Sequence, residues 1–239
     1  LAYAFYSLPV ALGAKPVSQA ALPELARAHQ DGDPIGYAHT FDRALGVVVF
    51  VVVPAASGYA VLNESVAALV GFGEMASPQA RSLLSAVLLG ISFGVVGAAA
   101  LHVGTQAAYA QGDARRPLLA TALRAGVTVP MLGAGLALFE GASLLLAIGA
   151  AVTVSDLVAG IWLSDRVRRG VGVPVPAGHR AIVRTVVATL GMVLAVLPIS
   201  LLLGSPGDRA DALVTLLSTG AIGAAVYLLV QRRLGSPEL

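Results

Sequence analysis

Long apolar segments separated by short polar breaks divide the whole chain. Seven segments, each close to the ~20 residues that a helix needs to cross a bilayer, lie at 1–23, 44–62, 82–105, 117–138, 143–164, 181–203 and 210–231. The breaks are polar and rich in Gly and Pro, as at 24–34, 111–117 and 164–170. A further apolar stretch at 65–73 is too short to span and is predicted to lie at the interface or to pack as a partial helix. The pattern predicts an all-α polytopic membrane protein with about seven transmembrane helices.

Composition agrees with this interpretation. Apolar residues make up 57% of the chain and charged residues 12%, whereas an ordinary soluble domain has roughly 25% charged residues. Mean hydropathy is +0.84. Aromatic residues are scarce, and the abundance of Ala, Gly, Val and Leu suits helices that approach closely in lipid. Seven spans leave no room for a sizeable soluble domain.

Basic side chains predict the orientation. One set of alternate loops contains only Arg81 and Arg209. The opposite set contains Arg27, Arg43, Arg115, Arg116, Arg166, Arg168, Arg169, Arg180, Arg232 and Arg233. Because Lys and Arg are retained on the cytoplasmic side, we expect the first segment to run from outside to inside and the C-terminus to be cytoplasmic.

Several classes of chemistry have no support in the sequence. There is no cysteine, and the histidines show no metal-ligand spacing. No phosphate-binding loop of the G-x-x-x-x-G-K-[ST] type is present, which disfavours an ATP-driven pump. The arginine pattern is typical of membrane topology and not of nucleic-acid binding. We expect no enzyme activity, cofactor, metal or nucleic acid. Because the chain begins at Leu1 without a charged leader, we expect a fragment or a processed piece.

Ionisable groups inside spans are costly, so each is a candidate for a cavity or a pathway. Lys15 lies about mid-span beside Pro16, where a cation could hold an anionic headgroup; the alternative is that it snorkels or pairs with a polar neighbour. Gln19 is a candidate for the same cavity. His102 and Gln106 are four residues apart on one helical face, where the alternative is polar contact between helices.

A buried ion pair is predicted between two neighbouring helices. Arg124 lies seven residues after Pro117, and Asp156 lies eight residues before Ser164 on the next, antiparallel helix. Their depths in the membrane therefore match. Either the pair lines a cavity or it locks the two helices together, and the second interpretation is the more common one.

Five stretches of the chain, in their order and spacing, resemble motifs of the MurJ-type lipid II flippases. These flippases are members of the multidrug, oligosaccharidyl-lipid and polysaccharide flippase superfamily. The five stretches are 8–13 (LPVALG), 21–27 (ALPELAR), 41–45 (FDRAL) with Pro54, 69–75 (LVGFGEM) and 108–117 (AYAQGDARRP). The last of these is similar to the F-Y-A-x-x-D-x-x-x-P turn of that family. The resemblance covers residues 1–170, and the final two spans agree only in hydropathy.

The resemblance implies the C-terminal part of a fourteen-helix transporter, starting near its eighth helix. Residues 1–170 would form the C-terminal lobe of the flippase core, and residues 171–239 two additional helices with a short cytoplasmic tail. The implied partners are membrane lipids, the missing N-terminal lobe and a lipid-linked cell-wall precursor, which alternating access would move to the outer leaflet of the bacterial plasma membrane. The alternatives are an exporter of another polyprenyl-linked glycan or of a drug, and a non-transporting scaffold of cell-wall synthesis.

One departure from the family pattern bears on the site. The family has a cavity-facing arginine about one turn before the first Leu-Pro, and Ala4 stands at that position here. Ser7 replaces the acidic residue that often follows it. Lys15, three turns deeper on the same helix, is predicted to take over the role of the missing cation.

Overall fold

Every regular element of the described residues is helical. The structure, a computed structural model, describes residues 2–73, 77–172 and 179–236, and of residues 2–5, 179 and 180 it describes only the backbone. The elements are α1 (Ala2–Pro9), a π-helical segment (Val10–Ala14), α2 (Lys15–Gln30), α3 (Pro34–Val61), α4 (Asn63–Val70), α5 (Pro78–Ile91), α6 (Gly94–Ala110), α7 (Arg115–Leu138), α8 (Gly141–Val171), α9 (His179–Leu203) and α10 (Arg209–Arg233).

Five of the described helices are individually long and apolar enough to cross a membrane: α3, α7, α8, α9 and α10. Helices α5 and α6 meet the same criteria only as a pair, which is bent by 44°. The predicted first span at 1–23 falls on the run formed by α1, the π-helical segment and α2. The prediction of an all-α polytopic membrane protein is confirmed.

Helices extend into two of the predicted breaks, because polar residues mark where a helix leaves the apolar layer and not where it ends. Helix α2 continues through most of the break at 24–34. The Asp33 side chain then accepts a hydrogen bond from the backbone N–H of Gly36 and starts α3 ten residues earlier than expected. Helix α8 runs through the whole break at 164–170 and ends at Val171. The next residue, Gly172, has a φ of 72°, which suits glycine.

The predicted span at 82–105 is bent instead of straight. The Ser92 hydroxyl donates to the Leu88 carbonyl at 2.5 Å, and the Thr153 hydroxyl of α8 donates to the Gly90 carbonyl at 2.6 Å. A serine hydroxyl that bonds to the carbonyl four residues earlier in its own helix, as that of Ser92 does, favours a bend in the helix. The short helix predicted at 65–73 is present as α4.

Helix α8 is the centre of the packing and contacts α5, α6 and α7. Glycines permit the close approach: a Cβ added to Gly97 would lie 2.3 Å from the backbone carbonyl carbon of Asp156, and one added to Gly90 would lie 2.9 Å from the Cα of Gly149. Small residues let helix backbones approach in this way in lipid. The packing therefore holds Asp156 between α6 and α7.

Helices α9 and α10 pack on each other, and α9 packs on α3. The Tyr227 hydroxyl donates to the backbone carbonyl of Phe50 at 2.6 Å, and the buried Gln231 amide donates to the Tyr227 oxygen at 2.8 Å. These polar contacts satisfy groups that lipid would leave unpaired, and they attach the final two helices to the rest of the bundle.

Candidate membrane-embedded site

Asp156 occupies the middle of the longest described helix. It lies fifteen residues from each end of α8, and its side chain is completely buried. A carboxylate in such a position is very costly unless cations or hydrogen-bond donors compensate its charge.

Arg124 of α7 supplies the compensating cation. Its Nε lies 2.5 Å from Oδ1 of Asp156, and its Nη2 donates to Oδ2 at 3.4 Å. The Arg124 side chain is 39% exposed, whereas that of Asp156 is fully buried, so the ion pair joins a partly exposed guanidinium to a buried carboxylate. The ion pair predicted from matching depths is present.

Tyr6 of α1 is the third member of this cluster. Its hydroxyl donates to Oδ2 of Asp156 and lies 3.4 Å from the Gly94 carbonyl oxygen, at the start of α6. Tyr6 is not among the site residues predicted from the sequence. Its position inside an apolar segment could have indicated a polar contact, because a buried tyrosine hydroxyl usually has a hydrogen-bond partner. The cluster joins α1, α7 and α8.

Lys15 and Gln19 lie on the surface of the bundle and not in its core. With Leu8 and Leu12 they form one exposed line along α1, the π-helical segment and α2, and Leu12 is 73% exposed. The π-helical segment immediately precedes Lys15 and changes the angular position of the side chains that follow. The assumption of one regular helix from Ala4 to Lys15 is therefore corrected.

His102 and Gln106 are half-buried on α6. Lys15 is close enough to interact electrostatically with His102. The Nε2 of His102 is buried and has no hydrogen-bond partner among the described residues. The structure thus brings Lys15 to His102 and Arg124 to Asp156, but no hydrogen bond or ion pair of the described residues joins these two sets.

The two cations, Arg124 and Lys15, differ in whether a carboxylate of the chain neutralises them. The Arg124 charge is neutralised by Asp156, whereas Lys15 forms no ion pair with any described residue. The described residues contain no group of His, Asp or Glu that could hold a metal ion. The arrangement is suited to attracting an anionic group to the exposed line at Lys15.

The sequence matches the family model described as lipid II flippase MurJ over residues 1–216. This chain belongs to the MurJ lipid II flippase family. Among solved structures, it is similar to a lipid II flippase MurJ in the inward closed conformation, with a TM-score of 0.73 and 17% sequence identity. The match covers 98% of this chain and 46% of that one, so the chain spans about half the length of that flippase. No curated protein sequence matches the chain significantly.

The turn at 108–117 has a clear structural role in this MurJ-family chain. Oδ1 of Asp113 accepts hydrogen bonds from the backbone N–H groups of Arg115 and Arg116, at 2.9 and 3.1 Å, and so caps the start of α7. The Arg116 guanidinium pairs with Asp113 at 3.0 Å and donates to Gln111 at 2.8 Å. The motif therefore shapes the start of α7 and does not contribute to the site at Asp156.

Proposed function

We propose that this chain forms one lobe of a flippase that moves lipid II from the inner to the outer leaflet of the bacterial plasma membrane. Family membership and the shared fold support this proposal. No bond is made or broken in such a step, so the protein is not an enzyme. Its task is to keep a large anionic headgroup away from the hydrocarbon core while the polyprenyl tail stays in the bilayer.

A second lobe completes the transport pathway in this proposal. The chain spans 46% of the similar flippase, and no helix of the described residues covers its line of exposed side chains at Lys15 and Gln19. Residues 1–170 act as the C-terminal lobe of the core, and α9 and α10 as an additional pair. Alternating access would follow from rocking the two lobes against each other. With the arginine-rich loops inside, the C-terminus is cytoplasmic.

Lys15 carries the substrate interaction in this proposal. It is exposed and forms no ion pair with any described residue, whereas Arg124, the other cation of the site, is held by Asp156. An ammonium group that is free to bind oxygen atoms suits the pyrophosphate of the precursor. Gln19, His102 and Gln106 would supply further hydrogen bonds to the headgroup.

The decisive experiment removes the charge of Lys15 in the full-length flippase. Because Lys15 is exposed, we expect Lys15→Ala to fold normally, to fail to complement a flippase-depleted strain and to stop lipid II translocation in intact cells. Lys15→Arg keeps the charge and should restore most of the transport.

Full growth and transport with Lys15→Ala would remove Lys15 from the mechanism. A protein with wild-type sequence that exports a different polyprenyl-linked glycan, but not lipid II, would instead contradict the proposed substrate.

A further inference from the structure

A cavity with several charged and hydroxyl side chains in its lining lies at the end of the bundle that carries few arginines. It has a volume of about 320 Å³ and is lined by Glu64 of α4, by Arg81, Ser82 and Ser85 of α5, and by Ser205 from the connection between α9 and α10. The proposed transport step uses none of these residues. We refer to this space as the Arg81 cavity.

The guanidinium of Arg81 is available to a ligand. Its Nε is buried and has no hydrogen-bond partner among the described residues. The backbone N–H of Arg81 bonds to the Ser77 carbonyl at 3.0 Å, which places the residue firmly in the first turn of α5. A buried donor that is left unpaired is costly. An anionic group in the cavity would remove that cost.

Glu64 supplies the opposite charge in the same cavity. It is exposed, lies in the first turn of α4, and forms no ion pair within 4.0 Å with Arg81 or any other described residue. Elsewhere in the described chain, opposite charges do meet directly, as Arg168 and Asp42 do at 2.6 Å. Two separated and unpaired charges of opposite sign favour a ligand that carries both signs.

The surroundings place this cavity at the depth of lipid headgroups. Leu201, Leu202 and Leu203, which end α9 just before Ser205, are 73%, 88% and 56% exposed. Phe72, 65% exposed, is covered on one face by the Arg209 guanidinium at 3.8 Å from the ring centroid. An apolar surface that meets aromatic and cationic side chains is typical of the boundary between hydrocarbon and headgroups.

We propose that the Arg81 cavity binds the headgroup of a zwitterionic aminophospholipid of the phosphoethanolamine type. Arg81 and the hydroxyl groups of Ser82 and Ser205 bind the phosphate, Glu64 accepts hydrogen bonds from the ammonium group, and the acyl chains lie along the exposed leucines at the end of α9. A phosphoglycerol headgroup has the phosphate but no ammonium, so it can pair with Arg81 but offers Glu64 only neutral hydroxyl donors in place of a charged one.

The test compares phosphatidylethanolamine and phosphatidylglycerol with identical acyl chains, titrated onto the purified chain in detergent and followed by native mass spectrometry. We expect the wild-type chain to bind phosphatidylethanolamine about tenfold more tightly, as one charge-assisted hydrogen bond requires. Glu64→Gln should abolish this preference, and Arg81→Gln should weaken both lipids about tenfold. Glu140→Gln is the matched control, because Glu140 is an exposed carboxylate between α7 and α8 that does not line the cavity, and it should change nothing.

Equal binding of the two lipids by the wild-type chain would overturn the proposal. So would competition by free D-alanyl-D-alanine, a small zwitterionic peptide, which would assign the cavity to a peptide instead. If Arg81→Gln does not fold, Glu64→Gln still decides the question, because the exposed Glu64 side chain can be changed without disturbing the packing.

Discussion

At the residue scale, Asp156 is compensated by two side chains from two other helices. Arg124 neutralises its charge and Tyr6 donates a hydrogen bond. Such a cluster contributes less to net stability than its contacts suggest, because both charges lose hydration when they are buried. Its main effect is that removing Arg124 leaves the buried charge of Asp156 without its cation.

Replacing Arg124 by Leu should therefore destabilise the chain by about 3 kcal/mol, the lower end of the usual range because its guanidinium is 39% exposed. The double variant Arg124→Leu/Asp156→Leu should recover more than half of this loss, since no buried charge remains. Denaturant unfolding in detergent measures both values.

Arg233→Leu is the control for this pair, because Arg233 is exposed and has no ion pair among the described residues. If Arg124→Leu costs no more stability than Arg233→Leu, then the buried carboxylate does not depend on Arg124. A double variant that is less stable than Arg124→Leu would contradict the unpaired-charge explanation.

At the element scale, the glycine contacts between α6 and α8 determine how closely these helices approach. Gly97 lies against the backbone of Asp156, and Gly160 lies against the carbonyl of Gly97. Because the contact involves backbone atoms on both sides, no side-chain rotation can make room for an added methyl group. The position of Asp156 between its partners depends on this contact.

Gly97→Ala should destabilise the chain by about 2 kcal/mol, because its Cβ would overlap α8. Gly126→Ala on α7 is the matched change, since nothing lies within 4 Å of a Cβ at that position. It should be neutral or stabilise by about 0.5–1 kcal/mol, because alanine restricts the unfolded chain. Unfolding in detergent compares the two variants, and equal effects would show that the close approach is not required.

At the scale of the whole molecule, the ends of the bundle differ in charge. The end that carries most of the arginines is closed by ion pairs, such as the one between Arg168 and Asp42, and by the Arg116 contacts at the start of α7. The opposite end contains the Arg81 cavity. This asymmetry predicts that the arginine-rich end faces the cytoplasm.

Single cysteines test this orientation directly, because the chain contains no native cysteine. In intact cells a membrane-impermeant maleimide should label Glu140→Cys, between α7 and α8, and should label Ala114→Cys, between α6 and α7, only after lysis. Both positions are exposed, so differences in burial do not account for a difference in labelling. The reverse pattern would invert the topology.

The class of fold and the pairing of Arg124 with Asp156 are both predictable from the amino-acid sequence. Hydropathy is summed over some twenty residues per span, so single errors average out. Matching depths on two adjacent antiparallel helices leave few other partners for a buried charge. Helix ends were less predictable, because polar residues such as Asp165 and Arg168 are compatible with a helix that continues beyond the apolar layer.

Contacts between side chains that are distant in the sequence follow from the packing of the helices and are not predictable from the sequence. The Tyr6 contact with Asp156 joins residues 150 positions apart, and the hydrogen bond from the Thr153 hydroxyl of α8 to the Gly90 carbonyl of α5 joins residues 63 positions apart. The exposure of Lys15 and the unpaired charges of Glu64 and Arg81 likewise depend on packing among separate helices. The periodicity of apolar residues along one helix does not predict these contacts. It specifies which face of the helix is apolar but not which other helix packs against that face.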